Sequence, residues 1–96
     1  MRVWLDDLRP APRGWKRTKT VERTIWLIAA GGITEISLDY DLDSTDGRHK
    51  GSEVLDWLLD AVESGSLIRV PVLHVHSANP YGAGLMANRI RQIEGL

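Results

Sequence analysis

The sequence contains no cysteine. Disulfide bonds, thiolate nucleophiles and cysteine-rich zinc sites are therefore excluded as parts of the fold or of an active site. Structural disulfides are typical of secreted proteins, and a chain without cysteine fits a reducing compartment. The absence of cysteine thus favours a cytoplasmic protein.

The chain also lacks a long apolar run. Its longest uninterrupted apolar segment, 25–30, is far shorter than the ~20 residues that a helix needs to span a bilayer. Asp6 and Asp7 interrupt the first apolar run before it reaches the length of a signal peptide. We therefore predict no contact with a membrane and a cytoplasmic location.

An excess of one charge is missing as well. Twelve Lys and Arg residues oppose 13 Asp and Glu residues, which leaves a net charge of -1. Without a basic excess, general nucleic-acid binding is not expected, although a small nucleotide remains a suitable ligand. A hydrophobic content of 43% in 96 residues predicts one globular domain over residues 1–96.

Strand-like and helix-like segments alternate along the chain. Four strands are predicted, the second of them a short edge strand and the others buried: 3–5, 15–19, 33–38 and 70–75. Helical spacing predicts one helix between the cap Thr20 and Gly31. A second helix begins at the cap Ser52 and ends at Gly65, and a third follows Pro80. This order predicts an α/β fold, a small three-layer sandwich with a mostly parallel sheet of strand order 2-1-3-4.

Polar residues directly follow three of the predicted strands, the first, the third and the fourth. In open parallel sheets, ligands bind beyond the carboxyl ends of the strands, so we expect these residues to gather at one rim. They are, in chain order, Asp6, Asp7, Asp39, Asp41, His76, Ser77 and Asn79. Clustered carboxylates repel one another unless a cation is present, and hard oxygen ligands favour Mg²⁺ or Mn²⁺. Each acid taken alone is equally well explained as a solvated turn residue.

The remaining candidate residues have a simple structural explanation beside the functional one. His74 and His76 share a face of the last strand, and we interpret His74 as a buried core residue and His76 as the functional candidate. Arg48, His49 and Lys50 precede a helix start, where they form either an anion clamp or a solvated loop. Three tryptophans occupy apolar patterns and are predicted core residues: Trp4, Trp26 and Trp57. The pattern does not assign Trp15 to the core or to the surface.

Three segments together resemble the cyclic-phosphate processing receiver-like family, a compact relative of response-regulator receiver domains. They are Leu5-Asp6-Asp7-Leu8-Arg9-Pro10, Ile36-Ser37-Leu38-Asp39-Tyr40-Asp41-Leu42 and Val75-His76-Ser77-Ala78-Asn79-Pro80. The resemblance covers nearly the whole chain and implies a receiver-like, flavodoxin-like fold. It also implies that Asp6 and Asp7 bind Mg²⁺, that Asp39 matches the phosphoryl-accepting aspartate, and that Ser77 matches the receiver's hydroxyl residue.

The chain departs from the family pattern at two positions and in length. Tyr40 stands where the family usually has histidine, and Asp43 replaces a glycine. The chain is also short for the fifth receiver strand, which normally carries a phosphate-binding lysine. Lys50 is the candidate that would take the place of this lysine.

Two functions from different classes follow from these residues. The first is a metal-assisted phosphoesterase that acts on a cyclic phosphate of a nucleotide or RNA end, with Asp39 and His76 as catalytic residues and Asp6, Asp7, Asp39 and Asp41 as metal ligands. Its phosphate would be bound by four side chains: Arg9, Lys50, Ser77 and Asn79. A variant makes Asp39 a nucleophile that forms an aspartyl phosphate. The second function is a non-catalytic module that binds a nucleotide or a protein partner, with a homodimer also compatible.

Overall fold

A computed structural model describes residues 1–42 and 50–96. Within these ranges the chain forms four strands and three helices. In chain order they are β1 Arg2–Leu5, β2 Trp15–Thr18, α1 Val21–Ala30, β3 Glu35–Leu38, α2 Ser52–Glu63, β4 Val72–Val75 and α3 Pro80–Glu94. Asp43 and the predicted anion clamp residues Arg48 and His49 lie outside the described residues.

The four described strands form one parallel sheet in the order β2-β1-β3-β4, which confirms the predicted α/β class and strand order. β3 and β4 are shorter than predicted at their amino ends. β4 begins after Pro71, which has no N–H group for the ladder. β4 was expected to be buried, but it lies at the sheet edge, and Val72 is 57% exposed.

The layering differs from the predicted sandwich. The core contains residues of all three described helices and, from the two central strands, only Val3, Leu5, Ile36 and Leu38. These strand residues share one face of the sheet, because Val3 pairs with Ile36 and Leu5 with Leu38 in the parallel register. α1 contacts α2, and α2 contacts α3. Among the described residues the helices therefore cover one face, and no helix packs on the other.

The helix ends show which predicted caps form. The Thr20 side chain accepts a hydrogen bond from the Arg23 N–H, which confirms it as the cap of α1, and Gly31 ends that helix. Ser52 is not a cap but the first residue of α2, and Gly51 occupies the cap position with no side-chain hydrogen bond. Only glycine fits there, because a Cβ atom on residue 51 would lie 1.8 Å from the Asp39 carbonyl oxygen.

Three predicted core residues lie elsewhere. Trp26 is 60% exposed, and its ring stacks under the Arg23 guanidinium at 4.7 Å. His74 is exposed and hydrogen-bonds to Glu35 across the strands at 3.0 Å. Trp4 is half-buried on the face opposite the helices, whereas Trp57 packs against the core as predicted. Strand alternation explains the errors at His74 and Trp4, since neither side chain points toward the helical layer, and His74 also lies on an edge strand. Trp26 lies outside the buried stripe of α1.

None of the helices in the described residues combines the length and the apolar character that a bilayer crossing requires.

Candidate functional site

The carboxyl ends of β1 and β3 bring three acids together. Asp6 and Asp7 follow β1, and Asp39 follows β3, its neighbour in the sheet. One carboxylate oxygen from each of these residues lies within 4.8 Å of the others. We call Asp6, Asp7 and Asp39 the acidic cluster. The expected convergence at one rim is confirmed for these three acids, while Asp41 is not a member of the cluster.

Asp6 is fully buried and held rigidly. Its Oδ1 accepts hydrogen bonds from the N–H groups of Leu8 and Arg9, both at 2.9 Å, and its Oδ2 lies 3.2 Å from His76 Nε2. Burial alone raises the pKa of Asp6, but these hydrogen bonds outweigh it and hold the pKa below its usual value. Asp6 is therefore a carboxylate that stays ionised inside the protein.

Asp39 is in the opposite electrostatic situation. It is 6% exposed, and the Tyr40 N–H donates to its Oδ1 at 2.9 Å. Burial and, next, the negative charge of Asp6 raise the pKa of Asp39. The two neighbouring acids therefore have pKa values pushed apart, as is common at catalytic sites.

Asp7 supplies the observation that points most directly to a cation. Its Oδ1 is buried and has no hydrogen-bond partner among the described residues. A buried carboxylate oxygen without a partner costs at least ~1–3 kcal/mol, and two further carboxylates nearby increase this cost. A divalent cation would satisfy the oxygen and neutralise the repulsion. The donor set, three carboxylates with hard oxygen atoms, fits Mg²⁺ or Mn²⁺.

His76 is fixed on three sides. Its Nδ1 lies 2.7 Å from the Ser37 hydroxyl, and its ring stacks on Trp4 with centroids 3.6 Å apart and planes 7° from parallel. An ionised Asp6 can only accept, so Nε2 carries the proton and Nδ1 of the neutral ring accepts from Ser37. Burial lowers the pKa of His76, against the opposing effect of Asp6 and Asp39. The ring is thus neutral near pH 7, with a defined tautomer.

Ser37 and Trp4 were missed as site residues. The signal that could have found them is strand alternation, because Trp4 is two residues from Asp6 and Ser37 two residues from Asp39. Side chains spaced by two share a face, so these residues must line the approach to the acidic cluster. Their contact with His76 across the sheet depends on the register, which the sequence does not provide.

A second group of predicted site residues lies at the rim around Asp41. Lys50 Nζ donates to Asp41 Oδ1 at 3.1 Å, and Asn79 Nδ2 donates to its Oδ2 at 3.0 Å. The Asn79 and Lys50 hydrogen bonds hold the pKa of Asp41 below its usual value. The Asn79 Oδ1 caps α3 by accepting from the Gly82 N–H. Asp41, Lys50 and Asn79 thus join the ends of β3, the start of α2 and the start of α3.

Two other predicted phosphate ligands lie close to these groups. Arg9 Nε is 3.9 Å from Asp6 Oδ2, and its side chain is 52% exposed. The Ser77 hydroxyl oxygen accepts from the Asn79 N–H at 3.1 Å, so its own proton remains available for donation. Arg9 therefore borders the acidic cluster, and Ser77 borders the Asp41 group.

Tyr40 contacts the first turn of α3 instead of the acidic cluster. Its ring lies against Gly82, where a Cβ atom would be 2.2 Å from Tyr40 Cγ, and it meets the ring of Tyr81 edge-on at 6.3 Å. A side chain at this position follows Asp39 directly and so points to the opposite side of the strand. Tyr40 therefore serves packing at the rim.

Comparison of the sequence with known protein families gives a match. Residues 1–92 match the family described as the cyclic-phosphate processing Receiver domain. Comparisons with curated proteins and with solved structures give no significant match. The match covers the four described strands, α1, α2, all but the last two residues of α3, and all three acids of the cluster. The chain belongs to the cyclic-phosphate processing receiver domain family.

Proposed function

We propose that this protein is a metal-assisted phosphoesterase that opens a cyclic phosphate of a nucleotide or of an RNA end. The observation that carries the proposal is the buried, unpartnered Oδ1 of Asp7 beside the carboxylates of Asp6 and Asp39. The family's description as cyclic-phosphate processing supplies the substrate class. The reaction adds water to phosphorus, breaks one ring P–O bond, and leaves a phosphomonoester and a protonated ribose oxygen.

The acidic cluster is the proposed seat of the metal. Asp6, Asp7 and Asp39 would hold Mg²⁺ or Mn²⁺, each through one carboxylate oxygen. A divalent cation bound there supplies charge neutralisation of the phosphate and a lower pKa for a coordinated water. Asp6 is preorganised for this task by its backbone hydrogen bonds, which orient its carboxylate before any ligand arrives.

His76 is the proposed general acid or base. Nε2 is the ring nitrogen that faces the acidic cluster, 3.2 Å from Asp6 Oδ2, while Nδ1 accepts from the Ser37 hydroxyl. The ring would accept a proton at Nδ1 as a base, and the protonated ring would donate the Nε2 proton toward the cluster as an acid. The stacking contact with Trp4 and the hydrogen bond with Ser37 keep the ring from rotating. The residue is thus positioned to move a proton to or from a group bound beside Asp6.

The phosphate oxygens need hydrogen-bond donors at the rim. Arg9 is the proposed charged donor beside the cluster, and Ser77 the neutral one. Asn79 retains a second hydrogen on Nδ2 beyond the one given to Asp41, and Lys50 is held at the same rim by Asp41. We propose all four as the groups that hold the substrate's phosphate.

The direct test is a panel of 2′,3′-cyclic and 3′,5′-cyclic nucleotides and of RNA ends with a cyclic phosphate, incubated with the protein in Mg²⁺ or in chelator. We expect a phosphomonoester product from at least one substrate, formed only with the metal. Turnover that is equal in chelator would refute the metal-assisted mechanism.

Divalent cations should stabilise the folded protein. If the acidic cluster binds Mg²⁺, a concentration 100 times the dissociation constant adds about 2.7 kcal/mol to the free energy of unfolding, because the unfolded chain has no such site. Urea unfolding of the wild type and of Asp7→Ala, each with and without Mg²⁺, measures this. The wild type should gain stability and Asp7→Ala should not.

The matched control for the metal experiment is Asp56→Asn. Asp56 is an exposed acid on α2 that pairs with Arg89. Its removal changes the net charge by the same amount as Asp7→Ala without touching the cluster. An equal Mg²⁺ response in Asp7→Ala and Asp56→Asn would show that the cation acts nonspecifically.

Ser37 should act as a positioning residue for His76. In Ser37→Ala the ring loses the hydroxyl that hydrogen-bonds to Nδ1 and helps to orient it, so kcat should fall about 10- to 100-fold with little change in KM. Ser37→Thr keeps the hydroxyl and should recover most of the rate. The ¹⁵N chemical shifts of the His76 ring should change in Ser37→Ala and return in Ser37→Thr.

Thr24→Val is the control for this experiment. It removes another buried hydroxyl, which makes a 2.7 Å hydrogen bond with Thr18 and does not touch His76. Both Ser37→Ala and Thr24→Val should lower stability by about 1–3 kcal/mol. If both also lowered kcat equally, the effect of Ser37 would be one of stability alone.

A variant of the mechanism makes Asp39 the nucleophile. Its raised pKa and its place after the central strand are compatible with an aspartyl phosphate. Incubation with acetyl phosphate, followed by intact-mass measurement, distinguishes the two. A stable mass increase that is absent in Asp39→Asn would favour the phosphoryl-acceptor variant.

One observation favours the non-catalytic alternative. Tyr40 replaces the histidine that is usual in the family, and its ring packs on Gly82 away from the cluster. If catalysis in relatives needs that histidine, this chain would bind a nucleotide or protein partner without turnover. Tight nucleotide binding with no product after long incubation would support this function over the phosphoesterase.

A further inference from the structure

The sheet face opposite the helices carries a set of aromatic and basic side chains. We call it the open sheet face and define it by the strand residues that alternate with the core: Arg2, Trp4, Trp15, Arg17, Glu35, Ser37, Val72 and His74. None of these residues belongs to the hydrophobic core or to the partly buried residues packed against it. No helix of the described ranges covers this face.

The rings on the open sheet face form a continuous path to the acidic cluster. Trp15 meets Trp4 edge-on at 6.0 Å, and Trp4 stacks on His76, which hydrogen-bonds to Asp6. Trp15 also meets the His74 ring at 6.3 Å, so its indole lies across several strands. A ligand bound at the cluster can therefore continue along an aromatic surface.

Among the strand residues that define this face, two arginines oppose one acid, so the face is positive up to its rim, where the acidic cluster begins. The Arg2 guanidinium lies over the Trp15 ring at 5.4 Å, and Arg17 Nε is anchored to the Asp6 carbonyl oxygen at 2.9 Å, which leaves its other N–H groups for a ligand. The acid on this face, Glu35, is paired with His74. Arg9 adds a further positive charge near the cluster.

Aromatic rings beside arginines on an uncovered sheet are the surface that single-stranded nucleic acid uses, since bases stack on the rings and phosphates meet the cations. Resting on the proposed function, we propose that the open sheet face binds the nucleotides that precede the cyclic phosphate of a single-stranded RNA. A 2′,3′-cyclic phosphate requires the ribose 2′-hydroxyl, so the strand is RNA and not DNA.

The dimensions agree with a ligand longer than a mononucleotide. Asp6 lies four residues beyond Arg2 along β1, which corresponds to about 13 Å at the rise of a strand. Trp15 pairs with Arg2 in the register and so belongs to the far end of this distance. When a cyclic phosphate is bound at the cluster, the preceding nucleotide can therefore contact Trp15 and Arg2.

The test compares a 2′,3′-cyclic mononucleotide with a trinucleotide that ends in the same cyclic phosphate. We expect the trinucleotide to have a KM about 10-fold lower, because a preceding base that stacks on an aromatic ring adds affinity that the mononucleotide lacks. Trp15→Ala should raise the KM of the trinucleotide about 10-fold and leave kcat and KM of the mononucleotide unchanged. Trp15→Phe keeps an aromatic surface and should recover most of the affinity.

Trp26→Ala is the matched control, because Trp26 also pairs with an arginine, Arg23, but on α1. It should change neither substrate's KM. Equal KM values for both substrates, unaffected by Trp15→Ala, would overturn the proposal. A dimer that sedimentation shows to dissociate in Trp15→Ala, without any effect on RNA, would also overturn it and assign the face to a second copy.

A binding measurement separates this proposal from the proposed function. A trinucleotide with a 3′-phosphate cannot be opened, and its affinity is measured by fluorescence titration with wild type, Trp15→Ala and Trp26→Ala. Loss of binding in Trp15→Ala alone supports the surface even if no cyclic phosphate is cleaved. Cleavage without any oligonucleotide binding supports the phosphoesterase and refutes the surface.

Discussion

Asp39→Asn is expected to lower turnover of a cyclic phosphate at least ~100-fold while raising the stability of the metal-free protein. The loss follows from the removal of one of the three carboxylates proposed to hold the metal. The gain follows from the electrostatics of the same side chain, because asparagine has nearly the same shape as aspartate but no charge.

The sign of the stability change comes from the pKa of Asp39. Burial and the charge of Asp6 raise this pKa in the folded protein, so ionisation of Asp39 opposes folding at pH values above it. This cost disappears as the pH falls through the folded pKa toward the unfolded value. Asparagine removes the cost at every pH, so the difference between variant and wild type should be largest near neutral pH and should vanish in acid.

The measurement is urea unfolding in chelator at several pH values, together with turnover in Mg²⁺. Asp56→Asn serves again as the control, because this exposed acid lies on α2 outside the cluster. Full turnover in Asp39→Asn would remove Asp39 from the mechanism. A metal-free variant less stable than the wild type at neutral pH would show that Asp39 makes favourable contacts that outweigh its repulsion with Asp6.

Gly51→Ala is expected to destabilise the fold by at least about 3 kcal/mol. A Cβ atom here would lie 1.8 Å from the Asp39 carbonyl oxygen and 2.9 Å from its carbonyl carbon. Both atoms belong to the backbone and cannot rotate away. The Gly51 N–H also donates to the Tyr40 carbonyl oxygen at 2.9 Å, so separation of the segments would break that bond.

The cause is steric and not conformational. Gly51 has φ -56° and ψ -27°, which any residue adopts, so alanine would be tolerated here if the space existed. Since the clash is with Asp39 itself, the displaced strand end should also weaken the Mg²⁺ binding that we propose for the acidic cluster. Urea unfolding and Mg²⁺ titration together measure both effects.

Gly84→Ala is the control for Gly51→Ala. Gly84 lies within α3, and a Cβ atom there would meet no atom within 4 Å. Alanine should raise stability by up to about 1 kcal/mol, because it loses less backbone entropy in a helix than glycine does. Equal stability in the two variants would show that the approach of α2 to Asp39 is not tight.

The acidic cluster could be predicted from the sequence because it depends on topology alone. Alternating strands and helices predict parallel strands, and parallel strands end at one rim, so Asp6 and Asp39 had to meet. The strand order places β1 beside β3, which sets the distance. The contact of Ser37 with His76 could not be predicted in this way, because it depends on the pairing register of β3 with β4.

The layering was wrong for a reason that the sequence does contain. A right-handed connection that moves toward one edge of a parallel sheet lies on the face opposite to one that moves toward the other edge. The connection from β1 to β2 moves toward one edge of the sheet, whereas the connections from β2 to β3 and from β3 to β4 move toward the other edge. The first connection contains Pro10 and Pro12 and was correctly predicted as a loop. A loop in that place provides no helix for the second face.

The errors at Ser52 and Trp26 come from local patterns that the tertiary structure overrides. Serine at a helix start is usually a cap, but the close approach of Asp39 makes Gly51 the residue that turns the chain into α2. The buried stripe of α1 consists of Val21, Thr24, Leu27 and Ile28. Trp26 lies in the apolar run of this helix but outside that stripe. Hydrophobicity alone did not distinguish the two sides of this helix.

The stacking of Trp4 on His76 gives the protein an internal optical reporter. Indole emission is sensitive to the state of a ring in direct contact, and these two rings lie 3.6 Å apart and nearly parallel. A variant with phenylalanine at Trp15, Trp26 and Trp57 would leave Trp4 as the single source of indole fluorescence among the four tryptophans of the chain. Arrival of a cation or phosphate beside Asp6 could then be followed in real time without a label.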